Sequence, residues 1–154
     1  MKVKVIVLTL AVFFAGVVVC LADDPNMGTW KLNEAKSKFG AGATKNHTVV
    51  YEAAGDDTKV TVDGTDGSGA AVHSEWTGKF NGRYYAVTGS PTSDKRSYAR
   101  VNSHTLKFSE KKGAKVVLTG TVTVSRSGKT RTVTTTAKNA KGKWIHNTAV
   151  YDKQ

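Results

Sequence analysis

AKVVLTGTVTVS at 114–125, RSG at 126–128 and KTRTVTTTAK at 129–138 read as two strands around a tight turn. Apolar and polar residues alternate along the first run, the period of a half-buried strand. Its apolar face carries Val116, Leu118, Val122 and Val124. In the second run Val133 is the apolar anchor, on the odd face with Arg131, Thr135 and Ala137. Matching an even face to an odd face needs an odd pairing sum. A turn centred on Ser127-Gly128 supplies it, setting Val122 opposite Val133 and Val124 opposite Arg131. Thr119, Thr121 and Thr123 then pair outward with Thr136, Thr134 and Thr132, and Arg131 faces the interior. A one-residue slip would turn every side chain over.

The same rhythm runs through the chain. Strands are expected near GTWKL (28–32), HTVVYEA (47–53), TKVTVDG (58–64), AAVHSEWTG (70–78), RYYAVTG (83–89), RSYARVN (96–102), TLKFSEK (105–111) and KWIHNTAVYDK (143–153). Between them lie AAGDD, GTDGSG, FNG, SPTSD, NSH, KKG, RSG and NAKG, clusters that supply positive φ or side-chain-capped turns. Connections this short join antiparallel neighbours. The expected fold is all-β: an antiparallel meander of about 8–10 strands closed into a lipocalin-like β-barrel, since closure removes both sheet edges. NEAKSKFGAGATK (33–45) breaks the rhythm and is expected to be a loop, with room for a helical turn over EAKSKF. A large aromatic on the first strand, Trp30, is expected to plug the narrow end of the barrel.

Residues 1–22 are read as a signal peptide. MKVK is basic, eighteen apolar residues follow, and DDP ends the run. The expected cut is after Ala22, and the expected location is the periplasm or the medium. Val19 before Cys20 argues against a lipid-bearing cysteine, and the remaining chain has no cysteine for a disulfide, a thiolate metal site or a nucleophile. Residues 23–154 form the single barrel domain, expected to be a monomer with no membrane span. Charge is uneven: residues 23–94 hold seven Lys/Arg against ten Asp/Glu, net −3, while residues 95–154 hold fourteen against two, net +12. The basic half makes an envelope polyanion an alternative partner; export argues against nucleic acid.

At Gly28-Thr29-Trp30 the chain resembles the lipocalins and their calycin relatives, whose first strand begins Gly-x-Trp and whose antiparallel barrels often hold a small apolar ligand. The Thr-Asp-Tyr loop of that family is absent, and the sequence alone does not single out the basic residue that packs on the Trp. GTWKL also resembles the start of the intracellular fatty-acid-binding proteins, but 33–45 is too short for their helix–turn–helix. A wider resemblance is to exported bacterial proteins without assigned function, at DPNMGTWKLNEAKSKF (24–39), VVYEAAGD (49–56), KVTVDG (59–64), VTGSP (87–91) and TAVYDKQ (148–154). It implies an exported bacterial domain and no particular activity.

Catalytic patterns are missing. His47, His73, His104 and His146 show no metal-ligand spacing, and there is no G-x-S-x-G, phosphate-cradling loop or H-E-x-x-H. VDGTDGSG (62–69) has half a calcium loop without its closing Glu. His146 is the best placed histidine for a hydrolase or isomerase, but the preferred expectation is a non-enzymatic domain without cofactor or metal. It would bind a small amphipathic or anionic ligand through interior Tyr51, Trp76, Tyr84, Tyr98, Arg100 and Arg131, the arginines holding a carboxylate. The threonine ladder, which could contact ice or a polymer, is read as plain β-propensity.

Overall fold

The computed structural model describes residues 24–138 and 142–154; the signal peptide expected over residues 1–22, with its expected cut after Ala22, lies outside the described residues. Ten antiparallel strands close into one barrel: β1 (Gly28–Leu32), β2 (Lys45–Ala54), β3 (Asp57–Thr65), β4 (Ala71–Gly78), β5 (Asn81–Thr88), β6 (Lys95–Asn102), β7 (Thr105–Lys112), β8 (Lys115–Val124), β9 (Thr130–Lys138) and β10 (Trp144–Lys153). Each pairs with its sequence neighbours, and β1 closes the ring against β10 with Trp30 opposite Lys153. One 3-10 turn, Glu34–Lys36, follows β1, held by the Asn33 side chain accepting from the Lys36 amide. Among the described residues no helix is long and apolar enough to cross a membrane.

The β8–β9 hairpin has the register its sequence dictates. Val122 faces Val133, Val124 faces Arg131, and Thr119, Thr121 and Thr123 pair with Thr136, Thr134 and Thr132. Val122, Val124 and Arg131 are buried, whereas Thr119, Thr123 and Thr134 are exposed. Gly128, at φ +69°, makes the turn. One expectation fails. Val116 lies outside, half exposed, because the β7–β8 register slips between Glu110 and Lys111. Leu118 pairs with Glu110 and Val116 with Lys111, so Val117 is the extra residue of a bulge, and the alternation inverts there.

One end of the barrel is packed shut. Trp30 is fully buried, and its indole donates to the Asn26 carbonyl at 2.9 Å, so the segment before β1 folds across that end. Gly28, at φ +102°, turns the chain into the strand where a side chain would be strained. The Arg131 guanidinium lies 5.0 Å from the Trp30 ring, 5.1 Å from Tyr51 and 4.7 Å from Tyr151. Its Nε and Nη1 have no hydrogen-bond partner among the described residues, so these aromatic faces are its principal company there. A desolvated cation over aromatic rings gains about 2 kcal/mol or more. Beside it Trp76 meets Phe80, Tyr85 and Tyr98 at 5.0–6.2 Å between centroids. Gly120 leaves room for Phe108, whose ring would stand 2.5 Å from an added Cβ. Trp30→Ala should therefore cost about 3–5 kcal/mol in a urea melt; a loss under about 1 kcal/mol would remove Trp30 from the plug.

Candidate functional site

The other end is hollow. Hairpin β3–β4, the long β1–β2 connection and the β5–β6 loop surround a cavity of about 610 Å³. That is within the range of small-molecule sites, ~300–1,000 Å³. Its walls are Val62, Val72, Leu118, Ala137 and Ile145, with Ala41–Thr44 and Ser90–Thr92 at the mouth. The residues are small where the closed end has rings, and that difference in volume leaves the space open.

The polar part of the cavity is built around two side chains that the sequence reading passed over. Arg96 and Glu110 stand directly opposite each other on β6 and β7. They are one inward step from Tyr98 and Phe108, so they form a floor over the aromatic cluster. Arg96 Nε donates to Glu110 Oε1 at 2.8 Å, and Nη2 approaches the same oxygen at 2.6 Å. Both are buried, at 7% and 6% exposure. Burial works against the Arg96 cation, but the adjacent carboxylate outweighs it and holds the guanidinium above its ordinary range. Ser74, Thr135 and Asn147 add hydroxyl and amide groups to the wall. Asn147 donates to Thr135 Oγ1 at 3.2 Å and accepts from the Gly40 amide at 2.8 Å, tying the β1–β2 loop to the barrel.

None of the six residues expected to hold a ligand lines this cavity. Tyr51, Trp76, Tyr98 and Arg131 do point inward and are brought together, but they fill the closed end. The Tyr51 hydroxyl donates to Tyr98 at 3.3 Å. Burial pushes the Tyr151 phenol beside them up to about 12, and that of Tyr98 further. Tyr84 is a correction: it pairs with outward Ser97, hydrogen-bonds Ser109 at 2.5 Å and lies under Lys111. Neighbouring Tyr85 is the inward one, in step with buried Val87. Arg100 is also corrected. It reaches the rim of the closed end, where it is paired with Asp24 and lies over Phe80. The expected carboxylate site of Arg100 and Arg131 does not form, because one already has a carboxylate and the other is sealed under rings.

The outer face of β6–β9 holds a shallower hollow of about 460 Å³, with Ser97, Ser109 and Thr119, Thr121, Thr134 and Thr136 along it. None of the four histidines lines either space. His73 is on the outer wall with Asp63 at 2.6 Å, and His146 bonds Thr136 at 2.9 Å. Among the described residues no cluster of His, Cys, Asp or Glu could hold a metal ion.

No protein-family model matches the chain, and comparison with curated proteins finds no match. Among solved structures it is similar to a redesigned β-barrel, mFAP1, bound to DFHBI, with a TM-score of 0.48 and 11% identity over 84% of this chain and 95% of that one. It is also similar to EF1p2_mFAP2b bound to DFHBI, with a TM-score of 0.47 and 10% identity over 84% of this chain and 94% of that one.

Proposed function

We propose that this chain is an exported, non-enzymatic barrel that binds a small amphipathic molecule in its open end. The observation that carries the reading is the cavity itself: apolar walls around a buried, charge-balanced Arg96–Glu110 floor. An apolar tail would lie along Val62, Val72, Leu118 and Ile145. A polar head would meet a donor and an acceptor side by side. Because Glu110 already neutralises Arg96, the floor suits an uncharged head such as an amide or alcohol better than a carboxylate, whose charge would be buried there away from Lys138, the exposed cation that borders the cavity. This narrows the amphipathic or anionic ligand expected from the sequence. Non-enzymatic action fits the same geometry, since the titratable pair in the cavity is locked to itself. Export rests on the leader at 1–22.

A fluorescent medium-chain amphipath tests this, displaced in turn by a fatty alcohol, a fatty amide and a fatty acid of equal length. The alcohol and amide should displace it at lower concentration than the acid. Ala137→Phe, which fills the cavity, should abolish binding with the melt unchanged. Equal binding to Ala137→Phe, or no binding by a folded barrel at high micromolar probe, would sink the reading.

A further inference from the structure

Among the described residues three large apolar side chains are exposed: Val101 near the closed end, and Trp144 and Val116 at the open end. Trp144 is 57% exposed and Val116 50%. Both lie on the outer wall beside the cavity mouth, Val116 next to lining residue Val117 and Trp144 next to lining residue Ile145. Neither is alone. Cross-strand pairing runs Lys95–Lys111–Val116 over β6, β7 and β8, and Lys138–Trp144 over β9 and β10. Lys112 pairs with Lys115 at the β7–β8 turn, and the Lys138 ammonium sits 5.0 Å from the Trp144 ring. None of Lys95, Lys111, Lys112, Lys115 and Lys138 has an ion-pair partner among the described residues. Of the nearby carboxylates, Glu110 is committed to Arg96, and one oxygen of Asp94 accepts from the Gly113 amide.

We propose that the open mouth docks on an anionic lipid bilayer through Trp144 and Val116 set among these lysines, so that an amphipath passes between bilayer and cavity. The proposal rests on the cavity reading for what is transferred, but not for the docking itself. An indole with a polar N–H and an apolar body partitions to the headgroup boundary, and lysines beside it are drawn to anionic headgroups. A soluble polyanion would satisfy the lysines yet leave Trp144 and Val116 in water, which is why the bilayer is the better fit. The placement also matters. The same rim that would enter the interface borders the entrance of the cavity, so an amphipath would leave the bilayer tail-first or head-first without crossing bulk water.

The test uses residues 23–154, which contain every strand of the closed barrel and its core, so that the apolar leader does not itself bind lipid. Flotation is measured with vesicles of phosphatidylcholine alone and of phosphatidylcholine with phosphatidylglycerol. Binding should require the anionic lipid and should weaken about fivefold for each lysine removed in Lys111→Gln and Lys115→Gln. Trp144→Ser should weaken it about tenfold further. Trp30 and Trp76 are buried, so a blue shift of indole emission on adding vesicles would come from Trp144 and vanish in Trp144→Ser. Equal flotation of Trp144→Ser, or retention on heparin without flotation, would overturn the docking proposal. Ala137→Phe separates the two readings, because it should lose the fluorescent amphipath and keep flotation.

Discussion

Val122→Asp is expected to leave no folded barrel at room temperature. Val122 is 2% exposed, faces Val133 across the hairpin and Leu106 across β7, and belongs to the continuous core. A carboxylate there has no basic residue directly opposite it on either neighbouring strand, and Arg131, two residues along β9 on the same inward face, is held among the rings of Trp30, Tyr51 and Tyr151. Burying it unpaired costs several kcal/mol even after relaxation, a large share of the ~5–15 kcal/mol that stabilises a domain. One residue earlier the same change should be nearly silent. Thr121 is on the outer wall, half-buried in the shallow groove, with Lys107 opposite. Thr121→Asp should stay within about 0.5 kcal/mol of the parent, helped by the cross-strand lysine. Far-UV circular dichroism and urea melts of the two variants decide the matter. A folded Val122→Asp beside an unfolded Thr121→Asp would contradict the orientation of the whole hairpin.

Glu110→Ala is expected to cost about 3–5 kcal/mol, because it leaves Arg96 charged, buried and alone. Arg96 cannot escape by losing its proton, since no guanidinium does so at ordinary pH. Removing both partners is a different experiment. Arg96→Met with Glu110→Leu takes away the charge and its need for a counter-charge together, and such replacements are often neutral or stabilising by about 1–4 kcal/mol. The double variant should therefore melt near the parent while Glu110→Ala melts far below it. It should also lose the preference for polar-headed amphipaths, because the donor and acceptor at the cavity floor are gone. A Glu110→Ala barrel as stable as the parent would mean that the pair is not sealed from water, and the cavity floor would then be wet and open.

The closed barrel was legible because alternation reports which side of a strand is inside. That signal placed the ten strands, the Val122–Val133 pairing and the inward Arg131. It failed where the period is broken. The bulge at Val117 turns Val116 outward, and nothing in KVVL marks which valine is skipped. Adjacent Tyr84 and Tyr85 must point to opposite faces. Val87, two residues beyond Tyr85, carried the signal that Tyr85 is the inward one.

Alternation is also silent about position along the barrel axis. Tyr51, Trp76, Tyr98 and Arg131 are interior, yet large rings fill space and do not leave it. The cavity is where inward residues are small, at Ser74, Thr135 and Ala137, and small side chains carry no chemical flag in a sequence. Arg96 and Glu110 were within reach. Arg96 shares the inward phase of Tyr98, and Glu110 that of Leu106 and Phe108. Two opposite charges on the inward phases of neighbouring strands are a sign of a buried pair, because charged side chains are seldom fully buried unless paired.

The most direct test of the central claim is amide chemical-shift mapping of residues 23–154 titrated with a medium-chain fatty alcohol. The account predicts saturable shifts confined to the open end, at Val72, Ser74, Arg96, Glu110, Leu118, Ala137 and Asn147, with Trp30, Tyr51 and Arg131 unmoved. Shifts centred on the outer groove at Thr119, Thr121 and Thr134, or on the Trp30–Arg131 cage, would contradict it.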